Sequence, residues 1–379
     1  MRLHEHEAAD IFEKLGIPVP RRGLASSPEE ARLVAKDLSY PVMVKAQVLV
    51  GGRGLAGGIK DAKDEEELEK VCGQLLGKEI KGLKVETVLI TQKVPVEREM
   101  YMGITVDGFE GKPVVIASME GGVHIEKAAE KSPGAVASVS VDPFFGFHPY
   151  HARGLLRQIG MTGPLLGKAT GVLTQLYKAF SRYEALICEI NPLAMTPEGS
   201  FMALDAVLEV DDSAVGRLKG VIPDPKTHLE NPLEKKGKEI GVTYLDLDGD
   251  IGIISSGAGL GMTSMDIIGD KLKPANFLET GGGITEELLY RCMELVTSKP
   301  GLKALLINVY GGINPIHEGA KGVVRFIKER DLKIPVVAKA LGNRQEETWE
   351  ILRSGGVHVV TETPTEKAVE KLFEVVGMV

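Results

Sequence analysis

The stretch Ile251-Gly-Ile-Ile-Ser255-Ser-Gly257-Ala-Gly259-Leu-Gly261-Met262 decides the fold of the C-terminal part of the chain. An uncharged apolar run leads into alternating glycines and then a helical pattern over Thr263–Leu272, which reads as buried strand, tight turn and helix. The pattern recurs downstream. Ala304–Val309, Pro335–Lys339 and Val357–Thr361 read as buried strands, and Ile316–Lys328, Glu346–Leu352 and Thr365–Val376 as helices. Strand–helix alternation with glycine at the crossings predicts an α/β fold with a doubly wound parallel sheet, its ligand beyond the carboxyl ends of the strands. Gly257-Ala-Gly-Leu-Gly261 is a weak match to a dinucleotide fingerprint, because the third glycine comes one residue early. Glu279-Thr-Gly281-Gly-Gly283 and Asn308-Val-Tyr-Gly311-Gly312-Ile313-Asn314 also set glycines ahead of helices, whose N-termini suit anions.

Upstream the pattern is more mixed. Leu3, Ala8, Ile11, Phe12 and Leu15 make residues 2–15 an amphipathic helix, and Ser26-Ser27-Pro28-Glu29-Glu30 opens another. Tyr40–Lys45 is a short strand, Gly51–Gly58 a glycine loop and Asp64–Leu76 a helix. Val85–Thr91, Glu99–Val106 and Pro113–Ser118 read as strands, Ile125–Lys131 as a helical piece and Leu155–Tyr183 as one or two helices. Apolar periodicity disappears between Pro223 and Pro232, which places a linker there.

The 379 residues suit two or three domains. With 45 basic against 53 acidic residues the chain carries a net charge of −8, which opposes sequence-independent binding to nucleic acid. Three separated cysteines, Cys72, Cys188 and Cys292, form neither a disulfide framework nor a zinc motif. No run is long enough for a membrane span, and the first residues lack the apolar core of a signal peptide. The expectation is a cytoplasmic protein.

Two constellations carry chemistry. Lys45 followed by Gly51-Gly52-Arg53-Gly54-Leu-Ala-Gly57-Gly58 combines cations with a loop whose N–H groups can close on phosphate oxygens; a surface turn with a solvated lysine is the alternative. It is not a Walker A loop. In Glu189-Ile-Asn191-Pro-Leu193, alternate residues of a strand share a face. A hairpin turn centred near residue 198 then sets Asn191 opposite Asp205, with β-carbons roughly 5 Å apart. Two oxygen donors at that spacing suit Mg²⁺, which keeps water and phosphate as its other ligands; polar residues on a hydrated hairpin edge are the alternative. Glu99 and Glu120-Gly-Gly-Val-His124 are further candidates for the site, or else solvated strand ends. Nothing resembles a Ser-His-Asp or Cys-His set, so the chain lacks a nucleophile of its own.

In this order, Leu3-His4-Glu5, Lys45-Ala-Gln-Val48, Gly51–Gly58, Glu120-Gly-Gly122, Glu189–Leu193, Leu247-Asp-Gly-Asp-Ile-Gly252, Gly257-Ala-Gly-Leu260, Ala275-Asn-Phe-Leu278 and Gly311-Gly-Ile313 resemble the β subunits of succinyl-CoA synthetases (succinate–CoA ligases) across nearly the whole chain. The resemblance implies an ATP-grasp domain over 1–231, with 20–94 as its lid, and a flavodoxin-like CoA-ligase domain over 232–379. It implies an ADP-forming ligase of the tricarboxylic acid cycle that uses ATP, CoA and a small carboxylic acid through a phosphohistidine. That histidine and most CoA contacts belong to an α subunit, in a heterodimer or a heterotetramer. By the same resemblance Lys45, Gly52, Arg53, Gly54 and Glu99 contact ATP. A hinge of Thr91, Gln92 and Val94 holds adenine, Asn191 and Asp205 bind Mg²⁺, and Glu189 holds the histidine for phosphoryl transfer. Ser256, Gly312, Ile313 and Asn314 fall where the acid is handled.

Three positions depart from the family's pattern, the first where the base is held and the other two where the acid is handled, and those two leave the acid open. Thr91 replaces a Glu usual at the hinge, Ser256 replaces an Asn, and Asn314-Pro-Ile-His317 stands where succinate enzymes carry Val-Arg-Cys-Asp. Malate–CoA ligase and citryl-CoA synthetase β subunits are the near alternatives. A self-contained ATP-grasp carboxylate–amine ligase and a nucleotide-sensing scaffold subunit are the distant ones.

Overall fold

Ser27 shows how local chemistry sets the elements. Its hydroxyl accepts the Glu30 N–H at 3.2 Å, so helix Pro28–Leu38 begins where a capping hydroxyl and a first-turn proline coincide. Asp64 caps helix Glu65–Leu75 the same way, accepting the Glu67 N–H at 2.9 Å. Both helices close the core of a four-stranded antiparallel sheet ordered Arg22–Ala25, Val88–Gln92, Val42–Ala46, Ile59–Ala62. These elements come from a computed structural model that describes residues 1–122, 135–224, 228–229, 231–313 and 316–377. The expected helix over 125–131, His124 and Asn314 lie outside the described residues.

A second antiparallel sheet follows. Strands Arg98–Asp107 and Ala185–Met195 form its centre, Lys112–Ser118 and Val136–Ser140 extend one side, and Phe201–Ala203 and Val207–Val210 both pair with Ala185–Met195. Alternation gives the central strands two faces. Met100, Met102, Ile104, Cys188, Ile190 and Leu193 enter a core shared with helices Glu5–Lys14, Pro149–Gln158 and Gly163–Arg182. Glu99, Tyr101, Gly103 and Glu189 alternate with them and take the other face. The helical stretch 155–183 is thus two helices, separated at Gly160, whose φ of +85° an L-residue rarely adopts.

The chain divides into two units, Met1–His228 and Leu229–Val379. The second holds a six-stranded sheet ordered Thr243–Asp246, Asn276–Glu279, Ile251–Ser255, Ala304–Gly311, Val336–Gly342, His358–Val360. Helices Ala258–Gly269 and Thr365–Val376 cover one face; Glu286–Thr297, Ile316–Glu329 and Gln345–Ser354 cover the other. This is the doubly wound arrangement, with one difference from a purely parallel sheet. The edge strand Thr243–Asp246 runs antiparallel to its neighbour; its four residues bury only Tyr244 fully and so carry little periodic signal. The helix expected from Thr263 begins five residues earlier, at Ala258. Its first turn, Ala-Gly-Leu-Gly, has poor helix propensity and hides the start. No helix among the described residues is long and apolar enough to cross a membrane.

Candidate nucleotide and metal site

Turn Thr196–Gly199 sets the register of the hairpin. Leu193 pairs with Ala203 and Met195 with Phe201, and on the far side of a short interruption Glu189 pairs with Val207 in the same register. Asn191 and Asp205 fall in that interruption, which contains the Asn191–Pro192 bond, and both open into one cleft of about 650 Å³. That size suits a small-molecule ligand. Lys45, Gly52, Arg53, Gly54, Thr91, Gln92, Val94, Glu99 and Glu189 line the same cleft. All of its lining residues belong to the first unit.

Lys45 and Arg53 are not solvated cations. Lys45 Nζ lies 2.7 Å from Glu5 Oε1 and also donates to the Leu204 carbonyl. Arg53 meets Glu5 Oε2 at 2.8 Å and Asp205 Oδ1 at 2.9 Å, and donates to the Ala46 carbonyl at 3.1 Å. Glu5, 6% exposed, is therefore the hub of four buried or half-buried charges. Burial raises its carboxyl, yet Lys45 and Arg53 outweigh that and hold it below the ordinary range. Asp205 goes the other way. Burial and then the Glu5 charge outweigh Arg53 and Lys45, and its carboxyl lies above its usual value.

Sequence reasoning gave Glu5 no role of its own. The signal was present: Glu5 shares a helix face with Ala8, Ala9 and Phe12, so an acid interrupts an apolar stripe.

Glu189 is half-buried, and its carboxyl is raised first by burial and also by Asp205, against a hydrogen bond from Asn191. The Glu120-Gly-Gly motif serves this corner. A β-carbon on Gly121 would stand 2.4 Å from the Met100 carbonyl oxygen, so only glycine lets the chain cross that strand. Gly122 then gives its N–H to Asn191 Oδ1 at 2.6 Å; the amide oxygen has a second lone pair for another partner. At the hinge, Gln92 and Lys93 give their N–H groups to the Arg21 and Pro41 carbonyls at 2.9 and 3.3 Å. Thr91 is buried.

The donor chemistry fits magnesium. Asn191 and Asp205 offer hard oxygens, and both open into the cleft. Among the described residues no group of three or more His, Cys, Asp or Glu could hold a metal. Mg²⁺ does not need such a group, because it is held by one or two protein oxygens with water and phosphate completing its shell.

The acid-handling candidates lie in the second unit. Ser256 Oγ accepts the Tyr310 N–H at 2.8 Å, which brings the loop after Ile251–Ser255 against the end of Ala304–Gly311. Gly312 and Ile313 follow at that end, Ile313 92% exposed. His317 is buried, with Nε2 at 2.9 Å from both Arg344 and Glu318.

Comparison with known proteins agrees with this architecture. Residues 2–195 match the model of the ATP-grasp domain and residues 254–373 that of the CoA-ligase domain. ATP citrate lyase from Methanothrix soehngenii has the same fold, with a TM-score of 0.78 over 98% of this chain and 99% of that one at 21% identity. An ATP-grasp domain joined to a CoA-ligase domain defines an acid–thiol ligase subunit. The chain is 40% identical to the ADP-forming succinate–CoA ligase β subunit of Roseiflexus sp. over 93% of both chains. It is 39% identical to the GDP-forming β subunit of Thermus thermophilus over 100% of this chain and 99% of that one. The chain belongs to the succinate–CoA ligase β-subunit family.

Proposed function

We propose that this chain binds Mg²⁺ and a nucleoside triphosphate in the cleft of its first unit and passes the γ-phosphoryl group to a histidine of an α subunit. The phosphoryl group then activates a small carboxylic acid for attack by the CoA thiol. The observation that carries the reading is the convergence of Lys45, Arg53, Glu189, Asn191 and Asp205 on one cleft.

Lys45, Arg53 and the N–H groups of Gly52 and Gly54 would neutralise and orient the phosphates. Asn191 and Asp205 would hold the metal, which when bound spreads the charge of the transferring group. Residues 20–94 act as the lid, and the backbone of Gln92–Val94 takes the base through the groups that remain once the Gln92 and Lys93 N–H groups are given to the Arg21 and Pro41 carbonyls. Glu189 sits beside this cluster and orients the incoming imidazole, fixing its tautomer and stabilising its cation. Most CoA contacts, like the histidine, come from the α subunit. Relatives named as ADP-forming and GDP-forming are equally similar, so the base is assigned as adenine by majority alone.

The test is incubation of this chain with γ-labelled ATP and Mg²⁺, with and without a co-purifying α subunit, followed by analysis for phosphohistidine. Label on an α-subunit histidine, followed by its loss on adding CoA with succinate, is the expected result. Thioester formation by the isolated chain would overturn the division of labour. Running malate and citrate beside succinate identifies the acid at the positions where Ser256 and His317 depart from the usual pattern.

A further inference from the structure

Gly103 stands directly opposite Glu189 across the two central strands of the second sheet. Residue 101 shares the face of residue 103, two positions back along the strand. A β-carbon built on Gly103 would lie 2.3 Å from the Tyr101 hydroxyl oxygen, 2.7 Å from its Cζ and 3.0 Å from its Cε1. All three atoms nearest that β-carbon belong to Tyr101. The missing side chain is thus the space in which the phenol lies. From there the hydroxyl points at Glu189 Oε2, 3.5 Å away.

We propose that Tyr101, seated over Gly103, is a positioning residue that fixes the Glu189 carboxylate for phosphoryl transfer to the partner-subunit histidine. The proposal rests on the role given above to Glu189. A glutamate has three rotatable side-chain bonds, and its acceptor arrives from another polypeptide, so an unrestrained carboxylate would lose orientation when it is needed. The phenol restrains it with only two torsions of its own. It engages Oε2, while Asn191, two residues further along the strand, hydrogen-bonds the same carboxylate. Burial, and then the Glu189 charge, push the phenol well above its ordinary pKa, so it stays protonated and remains a donor.

A ring that merely covered a glycine would serve equally well as phenylalanine, which makes Tyr101→Phe the deciding variant. The measurement is single-turnover labelling of the partner histidine by γ-labelled ATP in the complete complex, with the nucleotide KM and the melting temperature recorded for each variant. Tyr101→Phe is expected to slow transfer about tenfold, the loss of one hydrogen bond to a charged group, with KM within about twofold of wild type. Gly103→Ala, which forces the phenol aside, is expected to reproduce that loss. The double variant should be no slower than the slower single one, because both remove one interaction. Wild-type transfer by Tyr101→Phe, or multiplying losses in the double variant, would overturn the proposal. Glu189→Gln run alongside separates the two levels. Slow transfer by Glu189→Gln with fast transfer by Tyr101→Phe overturns this proposal alone, whereas fast transfer by Glu189→Gln overturns the role of Glu189 and the proposal with it.

Discussion

At the scale of single residues, Glu5 is the side chain on which the cleft's charges balance. Two cations and two carboxylates make the cluster neutral, but each group was moved out of water to reach it, so losing one partner costs more than the pair is worth. Glu5→Ala leaves Lys45 with the Leu204 carbonyl and Arg53 with Asp205. It should destabilise the chain by about 3 kcal/mol, toward the low end for breaking a buried pair because Lys45 keeps one partner and Arg53 keeps two, Asp205 and the Ala46 carbonyl. Glu13 lies on the same helix, 63% exposed, and pairs with Arg22 at 2.9 Å. Glu13→Ala should cost under about 1 kcal/mol. Urea titrations compare the two, and equal midpoint shifts would deny Glu5 its place at the centre. The adjacent His4 ties stability to pH. Burial first, then His228, His6 and Arg53 against the pull of Glu7, lower its pKa to about 4. The unfolded chain therefore binds more protons between pH 6.5 and 4, and stability contributed above 6.5 is lost as pH falls. His4→Asn, which keeps a capping side chain, should flatten the fall in melting temperature over that window; an unchanged slope would place the titration elsewhere.

Among elements, the packing of helix Ile316–Glu329 on helix Glu286–Thr297 depends on two glycines one turn apart. A β-carbon at Gly322 would lie 2.0 Å from the Glu286 carbonyl oxygen, and one at Gly319 2.5 Å from Ile284 Cγ2. The first neighbour is backbone and cannot swing away. Gly322→Ala should therefore destabilise by about 2–3 kcal/mol despite its gain in helix propensity. Gly171, exposed in helix Gly163–Arg182, has nothing within 4 Å of a built β-carbon, so Gly171→Ala should stabilise by up to about 1 kcal/mol. Opposite signs in thermal melts are the expected outcome, and two stabilising substitutions would show that the helices can move apart. Elements of this kind were legible in the sequence where a local signal sets them. Ser27 and Asp64 announce helix starts, and the turn at Thr196–Gly199 sets the register in which Leu193 faces Ala203 and Glu189 faces Val207, with Asn191 and Asp205 in the interruption between. Thr243–Asp246 was not legible, because a four-residue edge strand owes its existence to Asn276–Glu279 and not to its own pattern. Nor was the ion pair of Arg53 with Asp205, whose partners are 152 residues apart. No periodicity reaches that far.

For the molecule as a whole, the division of the chain implies a division of ligands. Every residue lining the 650 Å³ cleft lies between Arg2 and Val207, inside the first unit. The glycine turns after Ser255 and Val309 belong to the second. A ligand that binds only the native state suppresses local opening where it makes contact, by about 2.7 kcal/mol at a hundred times its Kd. Saturating Mg·ATP should accordingly slow amide exchange in peptides spanning 42–58, 91–99 and 189–207, the strand, glycine loop, hinge and hairpin that surround the cleft. Peptides spanning 251–261 and 304–313 should exchange as in the free chain, since no donor there lines it. Asp205→Asn provides the internal control. It removes the charge that pairs with Arg53 and that would hold the metal, so the Mg²⁺ concentration needed for protection should rise, while the core of helix Gly163–Arg182 stays protected without ligand and shows that the chain is still folded. Protection centred on 251–313, or an Asp205→Asn chain protected at the same Mg²⁺ concentration, would move the nucleotide away from the cleft in which Lys45, Arg53 and Asp205 already hold one another's charge.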